Sequence, residues 1–358
     1  MIERLQKFRE NLKNLNLDGV LISNSENSRY LSGFSGSSGV LLISADTAAI
    51  ITDFRYWEQV SQEVKDFQLY KQGPNLWQSI VALVQKLHWT KIGFEAATLT
   101  YQDYQTFCNL VPKNVQLIPQ NNLVEHQRWV KDTAEIALLS TAEQITDRAF
   151  AETLPIIKPG IKEREIALEF DHQLRLQGAE GNSFTTIVVS GARSALPHGE
   201  ASDKKVAVGD LVTIDGGALF QGYHADMTRT VVVGKGSEEQ KRLYQVVLQA
   251  QELALQSLKA GLIGFEVDKI ARDFLSQHGY GGDKFGHGLG HSVGLNIHES
   301  PRLAVTEQNP IPAGAVITVE PGVYIPGWGG VRIEDLVVVK LDGIRNLTAS
   351  PKKELIEL

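Results

Sequence analysis

The sequence contains one cysteine, Cys108, in 358 residues. A single cysteine excludes a disulfide within the chain, a thiolate zinc site and a cysteine-ligated iron–sulfur cluster. Any metal ion that the chain binds is therefore expected to have oxygen and imidazole ligands.

The sequence also lacks a long apolar segment. Its longest apolar runs are short, as at residues 20–22 and 337–339, whereas a membrane-spanning helix needs about 18 apolar residues in succession. Residues 1–6 are charged and amphipathic and do not contain the apolar core of a signal peptide. A cytoplasmic enzyme or binding protein is expected.

A basic excess is missing as well. The 35 Lys and Arg residues are outnumbered by 42 Asp and Glu residues, which gives a formal charge of −7. Such a chain has no surplus positive charge with which to neutralise nucleic-acid phosphates. With 42% hydrophobic residues the composition is that of an ordinary globular protein, and at about 150 residues per domain the length allows two domains.

The first part of the chain alternates helical and β-like patterns, which is typical of an α/β domain. Apolar residues at positions 2, 5, 8 and 12 indicate an amphipathic helix at the start. The other predicted elements are helices at 76–87 and 101–110 and strands at 20–23, 40–44, 48–52, 91–95 and 115–119.

A domain boundary is predicted near residue 131. Asp132 and Glu135 form a capping-box pattern that begins a long helix running to about residue 157, before Pro159 and Gly160. The boundary gives an N-terminal domain of residues 1–130 and a C-terminal domain of residues 131–358.

The C-terminal domain is predicted to be α+β. Both of its halves have a pattern of helices followed by a hairpin, which indicates a pseudo-duplicated domain. After the long helix, the predicted elements are helices at 162–177 and 237–258 and strands at 183–190, 210–215, 226–233, 316–320 and 331–339.

Acidic residues concentrate first in a predicted hairpin. A turn between Phe220 and Gln221 would set Asp215 directly opposite Asp226, with both carboxylates on one face. Like charges at that distance destabilise a fold unless a cation or a proton lies between them. The alternative is a pair of solvated turn aspartates.

A second hairpin repeats this pattern. A turn centred on Gly327 would place Glu320 opposite Glu334, each on a strand and in an apolar context. A buried carboxylate without a partner is costly. The two hairpins together predict four convergent oxygen ligands.

Three histidines, His287, His291 and His298, lie in a glycine-rich segment. Glycines allow the backbone to approach a site closely, and one imidazole could complete a metal centre while the others move protons or bind substrate. A single histidine here would more often be structural. A fourth, His198, lies in a turn-rich segment after a predicted strand, where a surface role and a functional role are both open.

These residues resemble the five metal ligands of the pita-bread metallopeptidases. The matching contexts are I-D-G-G, Y-x-A-D-x-T-R-T, G-H-S-V-G-L, V-E-P-G and V-R-I-E-D, around Asp215, Asp226, His291, Glu320 and Glu334. The closest branch is that of the Xaa-Pro peptidases, aminopeptidase P and prolidase. Residues 26–34 and 52–56 are similar to that branch's creatinase-like N-terminal domain. The expected fold is therefore a creatinase-like α/β domain followed by a pita-bread α+β catalytic domain.

The resemblance implies two divalent metal ions. Asp215 would bind one ion, His291 and Glu320 the other, and Asp226 and Glu334 would bridge them. Four carboxylates then balance the charge of two dications. The ligand types favour Mn²⁺, with Co²⁺ and Zn²⁺ as alternatives. A bridging hydroxide would attack the carbonyl before proline.

The resemblance also implies roles for other residues. Glu320 would shuttle a proton, and His287 and Arg332 would support the site. His198 and His298 would contact the substrate or stabilise the tetrahedral intermediate. Proline requires a dedicated site because its nitrogen has no N–H and its ring fixes φ. The branch often has serine at the position of His224, and the imidazole there is expected to reach the rim of the site.

An aminopeptidase P-like exopeptidase that cleaves Xaa-Pro bonds at peptide N-termini is the favoured function, with a prolidase acting only on dipeptides as the alternative. A non-catalytic pita-bread protein and a creatinase-type amidinohydrolase leave the full ligand set unexplained. A methionine aminopeptidase would lack the large N-terminal domain. The expected partners are proline-containing peptides and a second copy of the chain in a homodimer, with no nucleic acid or membrane.

Overall fold

The computed structural model describes residues 2–358, and the chain divides into two compact units between Arg128 and Trp129. Each unit has its own sheet structure and its own buried core. Among the described residues, no helix combines the length and apolarity needed to cross a membrane.

The first unit is an α/β domain. Its helices are α1 (Ile2–Leu12), α2 (Ser25–Ser32), α3 (Trp57–Glu63), α4 (Leu76–Lys86), α5 (Tyr101–Leu110) and α6 (Glu125–Arg128). Its strands are β1 (Gly19–Ile22), β2 (Val40–Ile43), β3 (Ala48–Thr52), β4 (Gln68–Lys71), β5 (Lys91–Glu95) and β6 (Gln116–Gln120).

These strands form one mixed sheet in the order β4-β3-β2-β1-β5-β6. The inner strands β1 and β2 are buried at every position, as continuous apolar runs predict. The edge strand β4 was not among the predicted elements, because its residues are partly or fully exposed and form no apolar run. The α/β class of this unit is confirmed.

The second unit contains the remaining elements. Its helices are α7 (Thr133–Thr153), α8 (Glu163–Leu176), α9 (Glu238–Ser257) and α10 (Gly264–Gln277). Its strands are β7 (Gly181–Asn182), β8 (Ile187–Ser190), β9 (Leu211–Gly216), β10 (Ala218–Phe220), β11 (Tyr223–His224), β12 (Met227–Val232), β13 (Gly290–Ser292), β14 (Glu299–Leu303), β15 (Val316–Val319), β16 (Gly322–Ile325), β17 (Gly329–Arg332), β18 (Asp335–Lys340), β19 (Gly343–Asn346) and β20 (Ile356–Glu357).

The second unit consists of two similar halves. In the first half, α7 and α8 pack on a sheet of order β20-β12-β9-β8. In the second half, α9 and α10 pack on a sheet of order β14-β13-β15-β18-β19. The predicted pseudo-duplication is confirmed.

Several predictions for the second unit need correction. The predicted strand 183–190 is confined to residues 187–190, as β8. The predicted strand 331–339 is interrupted at Ile333 and Glu334, which separate β17 from β18. Helix α10 was not predicted, although its buried face contains Val267, Ala271 and Leu275 at helical spacing. The capping box of Asp132 and Glu135 is confirmed at the start of α7, which ends at Thr153 and continues as a short 3₁₀ turn.

Candidate metal centre and active site

The first acidic hairpin folds one residue later than predicted. Its turn lies at Gln221 and Gly222, whose φ angles of 46° and 77° suit a tight hairpin turn with both central residues at positive φ. Asp215 consequently pairs with Thr228, so the predicted pairing with Asp226 is wrong. The error shifts the register by two residues, and a shift of two leaves Asp215 and Asp226 on the same face.

A glycine two residues after Asp215 allows two backbones to approach closely. A side chain at Gly217 would collide with the backbone carbonyl oxygen of Ala225, the residue before Asp226. The second glycine of the I-D-G-G context therefore lets the strand bearing Asp226 pass next to the strand bearing Asp215.

The second acidic hairpin has the predicted register. Pairs on both sides of the glutamates, Gly322 with Arg332 and Val319 with Asp335, place Glu320 level with Glu334. The prediction that each glutamate lies on a strand is wrong, since both occupy the breaks between strands.

The breaks arise because the backbone changes partners at the two glutamates. The Glu320 amide donates to the carbonyl of Leu289 at 2.8 Å, and the Glu334 amide donates to the carbonyl of Thr228 at 3.1 Å. Neither amide is used to pair the glutamates with each other. The second bond joins the two hairpins directly and brings Glu334 to the aspartates of the first hairpin.

The five predicted metal ligands come together in the second unit. Carboxylate oxygens of Asp215, Asp226 and Glu334 lie within 4.8 Å of one another. The Nε2 atom of His291 lies 3.5 Å from Asp226 Oδ2 and 3.6 Å from Glu320 Oε1. The structure thus brings one imidazole and four carboxylates into one cluster.

Burial and mutual repulsion strongly affect the protonation of this cluster. Burial, followed by the charge of neighbouring carboxylates, raises the pKa of Asp226 and of Glu334 well above the usual values. Burial also raises the pKa of Glu320 to about 8, against the lowering effect of Arg332. Without added positive charge the carboxylates cannot all be ionised together at neutral pH.

The donor atoms fit divalent cations. The Oδ1 atom of Asp215 is buried and has no hydrogen-bond partner among the described residues, which is costly unless an ion satisfies it. The Nδ1 atom of His291 faces its neighbour's carbonyl, that of Ser292, at 3.1 Å. If Nδ1 carries the hydrogen, the Nε2 lone pair faces the carboxylates, as a metal ligand requires.

Arg332 connects the cluster to its surroundings. Its guanidinium donates to Asp215 Oδ2 at 2.6 Å, to Thr228 Oγ1 at 3.1 Å and to the Tyr324 hydroxyl at 2.8 Å. Thr228 in turn donates to Glu334 Oε2 at 2.8 Å. Neither Thr228 nor Tyr324 was predicted as a site residue. The signal for Thr228 is its place in the Y-x-A-D-x-T-R-T context, two residues after Asp226.

His287 takes part in the same hydrogen-bond network. Its Nε2 lies 2.8 Å from the Tyr324 hydroxyl, and its Nδ1 lies 2.8 Å from the carbonyl of Gly288. Since Arg332 donates to that hydroxyl, the hydroxyl donates to Nε2 and the hydrogen of the ring lies on Nδ1. Burial lowers the pKa of His287 to about 4, so the ring is neutral.

All the predicted site residues line one cavity of about 350 Å³. They are His198, Asp215, Asp226, His287, His291, His298, Glu320, Arg332 and Glu334. The His298 ring meets the His291 ring edge to face, with centroids 4.4 Å apart. His224 is not among the described residues that line the cavity, and its ring nitrogen Nδ1 lies 3.2 Å from the carbonyl of Ser183.

The cavity also contains residues that were not predicted. Apolar side chains of Phe184, Ile187 and Ile297 form part of its wall, and Arg302 adds a positive charge. The sequence signal for Arg302 is its position four residues after His298. Its location depends on the pairing of β13 with β14, which sets Arg302 opposite His291.

The two N-terminal motifs fall in the first unit. Residues 26–34 form most of α2, which ends at Gly33 in a left-handed conformation with a φ of 83°. In the second motif Asp53 accepts two hydrogen bonds of 2.8 Å from the side chain of Arg55. Asp53 is the N-cap of the 3₁₀ turn Phe54–Tyr56 that follows β3, and Arg55 lies within that turn.

Comparisons with known proteins agree with this geometry. The chain matches metallopeptidase family M24 over residues 137–340 and the creatinase/prolidase N-terminal domain over residues 4–130. An Xaa-Pro dipeptidase of Pyrococcus horikoshii is 37% identical over 361 residues, which cover 99% of each chain.

Solved structures give the same picture. An Xaa-Pro dipeptidase from Bacillus anthracis has a TM-score of 0.97 at 43% identity and covers 100% of this chain and 99% of its own. An X-Pro aminopeptidase from Thermotoga maritima has a TM-score of 0.91 at 39% identity, with 99% of each chain covered. The similar proteins thus include both specificities.

Proposed function

Because the chain belongs to metallopeptidase family M24, as an enzyme of the Xaa-Pro dipeptidase and aminopeptidase group, we propose that it hydrolyses Xaa-Pro dipeptides. The resemblance to pita-bread Xaa-Pro peptidases and the fold expected from it are confirmed. The choice of a dipeptidase differs from the aminopeptidase P-like function that the sequence favoured.

The position of Arg302 is the observation that favours a dipeptidase over an aminopeptidase. Its backbone pairs with that of His291, and its side chain lines the cavity. Within residues 2–358 its guanidinium makes no hydrogen bond or ion pair, yet its charge lowers the pKa of His298, after the larger effect of burial. A dipeptide ends in a proline carboxylate, and guanidinium is the side-chain group that best matches a carboxylate, through two parallel hydrogen bonds.

The size of the cavity also favours a small substrate. Its volume of about 350 Å³ lies near the lower end of the range of about 300–1,000 Å³ for ligand pockets. The apolar wall formed by Phe184, Ile187 and Ile297 suits a proline ring, which has no N–H to satisfy.

The metal ions are part of the proposal. A family of metallopeptidases and the cluster of acidic ligands indicate divalent cations, and we propose two Mn²⁺ ions on the basis of four carboxylates and one imidazole. Asp215, Asp226, His291, Glu320 and Glu334 would hold them. When bound, such ions polarise the scissile carbonyl and acidify an attacking water.

The side chains of the site supply the other steps. Glu320 carries a proton from the attacking water to the leaving proline nitrogen, which must be protonated as the bond breaks. His198 and His298 line the cavity and offer ring nitrogens to the substrate carbonyl. Arg332 holds Asp215 in place through its 2.6 Å hydrogen bond.

An aminopeptidase acting on longer peptides is the second candidate. A neighbouring cavity of about 420 Å³ shares Pro197, His198 and His287 with the first cavity. This space could accept residues beyond proline. We expect the dipeptide to be preferred because the cavity with the metal ligands contains the guanidinium.

A comparison of Ala-Pro with Ala-Pro-Ala tests the choice. With Mn²⁺ present, kcat/KM is expected to be higher for Ala-Pro. Arg302→Gln should raise KM for Ala-Pro by about tenfold or more, because a charged hydrogen bond to the substrate is lost, and should affect Ala-Pro-Ala less.

Arg345→Gln on β19 is the matched control, since Arg345 lies outside both cavities. Faster cleavage of Ala-Pro-Ala, together with an unchanged KM for Ala-Pro in the Arg302 variant, would support the aminopeptidase. No Xaa-Pro hydrolysis with either Mn²⁺ or Co²⁺ would refute the whole proposal.

A further inference from the structure

A buried ion pair lies outside the residues that line the active-site cavity. The Nζ atom of Lys131 is 3.1 Å from Glu299 Oε2, and the two side chains are only 1% and 7% exposed. Removing two charges from water is expensive, and a pair of this kind is weak evidence for added stability. A role other than stability therefore has to be considered.

Glu299 lies at the end of the loop that contains His298. It is the first residue of β14 and pairs with Ser292, the neighbour of His291 on β13. Its Oε1 atom accepts a hydrogen bond of 3.1 Å from the backbone amide of Asn296. One carboxylate thus binds both Lys131 and the interior of the loop at residues 293–298.

The same carboxylate packs against the loop backbone. A side chain at Gly294 would come within 2.6 Å of Glu299 Oε1, so this backbone passes directly over the carboxylate. The carbonyl of Gly294 accepts the amide of His224 at 2.9 Å, and the Val293 amide donates to Val316 at 3.1 Å. The loop is thus held by hydrogen bonds at Val293 and Gly294, and a displacement of the Glu299 side chain would change its conformation.

Lys131 is itself anchored next to a strand that leads to the site. Its backbone amide donates to the carbonyl of Gly314 at 3.0 Å. Gly314 has a φ of 89° and forms the turn before β15, the strand that ends immediately before Glu320. The backbone of Lys131 is therefore fixed within the second unit, and its ammonium group reaches Glu299 from that position.

We propose that the Lys131–Glu299 ion pair is a positioning device that holds the loop of residues 293–298, and with it the His298 ring, against the active site. His298 directly precedes Glu299, and its ring lies against that of His291. A shift of about 1 Å in a positioned group can reduce a rate by about 10²-fold. The inference rests on the proposed function in assigning a substrate contact to His298.

Three variants test the pair. Lys131→Met removes the charge but keeps an unbranched side chain, Lys131→Arg restores the charge, and Glu299→Gln removes it from the other partner. Lys269→Met is the matched control, because Lys269 pairs with Asp273 at the surface, where the side chains are 55% and 54% exposed.

For Ala-Pro hydrolysis with saturating Mn²⁺, we expect Lys131→Met to lower kcat by about 10²-fold and to change KM by less than about threefold. Lys131→Arg should recover most of kcat, and Lys269→Met should equal the wild type. An unchanged kcat in Lys131→Met would overturn the proposal. A loss of kcat in the surface control Lys269→Met equal to that in Lys131→Met would also overturn it.

A double-mutant cycle with His298 separates positioning from general structural damage. If the ion pair acts through His298, Lys131→Met should reduce kcat by less than about threefold in a His298→Ala background. A further loss of about 10²-fold in that background would show an effect that does not pass through His298 and would refute the proposal.

NMR spectra of isotope-labelled histidine give a readout that does not need activity. The His298 ring signal, assigned by its absence from His298→Ala, should shift in Lys131→Met and Glu299→Gln but not in Lys269→Met. If wild-type protein hydrolyses no Xaa-Pro peptide, the proposed function fails while this spectrum still decides the inference. If Lys131→Met does not fold, Glu299→Gln takes its place in each measurement.

Discussion

Two neighbouring residues, Glu334 and Asp335, belong to different buried acidic clusters and have opposite electrostatic environments. Both are almost completely buried, at 1% and 0% exposure. Burial and the charge of Asp226 raise the pKa of Glu334 well above its usual value. Burial also acts to raise the pKa of Asp335, but the charges of Arg229 and Lys352 hold it below its usual value.

The difference is in the source of positive charge. Asp335 accepts a 2.8 Å hydrogen bond from Arg229 and also pairs with Lys352 and Asn346. The cluster of Glu334 has Arg332, but it has four carboxylates to balance. Burial alone therefore does not distinguish the candidate metal site; the excess of buried carboxylates over cations does.

Asp226→Asn should have the largest effect. The change removes one charge from the cluster that depends on added cations, and we expect kcat/KM for Ala-Pro to fall by at least about 10³-fold. Metal content, measured on the purified protein, should fall as well. The control is Asp273→Asn at the surface. Full activity with normal metal content in Asp226→Asn would contradict the assignment of the cluster.

Asp335→Asn should affect folding instead. It leaves Arg229 and Lys352 buried without their carboxylate, and breaking a buried pair in this way costs about 3–5 kcal/mol. Urea denaturation measures the loss, and the same Asp273→Asn control should change stability by less than about 1 kcal/mol. If the Asp335→Asn protein is stable but has lost its metal, the proposed difference between the environments of Asp335 and Glu334 is wrong.

The pH dependence of stability should show the smallest of these effects. In metal-free protein the pKa of Glu320 is raised to about 8 from 4.5, so the folded state retains a proton that the unfolded state releases. The stability from this group is present at low pH and is lost as pH rises from about 4.5 to about 8. Asp335, with its lowered pKa, contributes no dependence in this window.

Urea denaturation between pH 7 and pH 8 checks this sign, because the lowered pKa values of His287 and His291 give the opposite dependence only below the usual histidine pKa of 6.5. Stability in the presence of EDTA should fall with rising pH, and Mn²⁺ should flatten the dependence because cations then balance the ionised carboxylates. Identical slopes with EDTA and with Mn²⁺ would show that the acidic cluster does not bind the ion.

The chemistry of the site was visible in local sequence. The contexts around Asp215, Asp226, His291, Glu320 and Glu334 predicted the residues that the structure brings together. The face of the first hairpin was predicted although its register was wrong, because an error of two residues does not change the side on which a strand residue lies. The turn at Gly327 was predicted correctly and so was the register around it.

Contacts that depend on the tertiary structure were not predicted. Arg302 reaches the cavity through a pairing of two strands, and Tyr324 joins the hydrogen-bond network of the site through Arg332 and His287. The buried pair of Lys131 and Glu299 joins residues 168 positions apart. Local patterns do not identify the partners in such contacts, because the pairing of strands and the packing of side chains bring the partners together.

The sequence by itself predicted the class of chemistry: one cysteine and four acids in two hairpins imply oxygen and imidazole ligands for any metal ion. Residue types and short spacings carry that information. Only the tertiary structure decided which carboxylates have cations of their own, where the strands break at Glu320 and Glu334, and which arginine lines the cavity. These features depend on backbone partners far apart in the chain, whose hydrogen bonds are chosen by packing rather than by neighbouring residues.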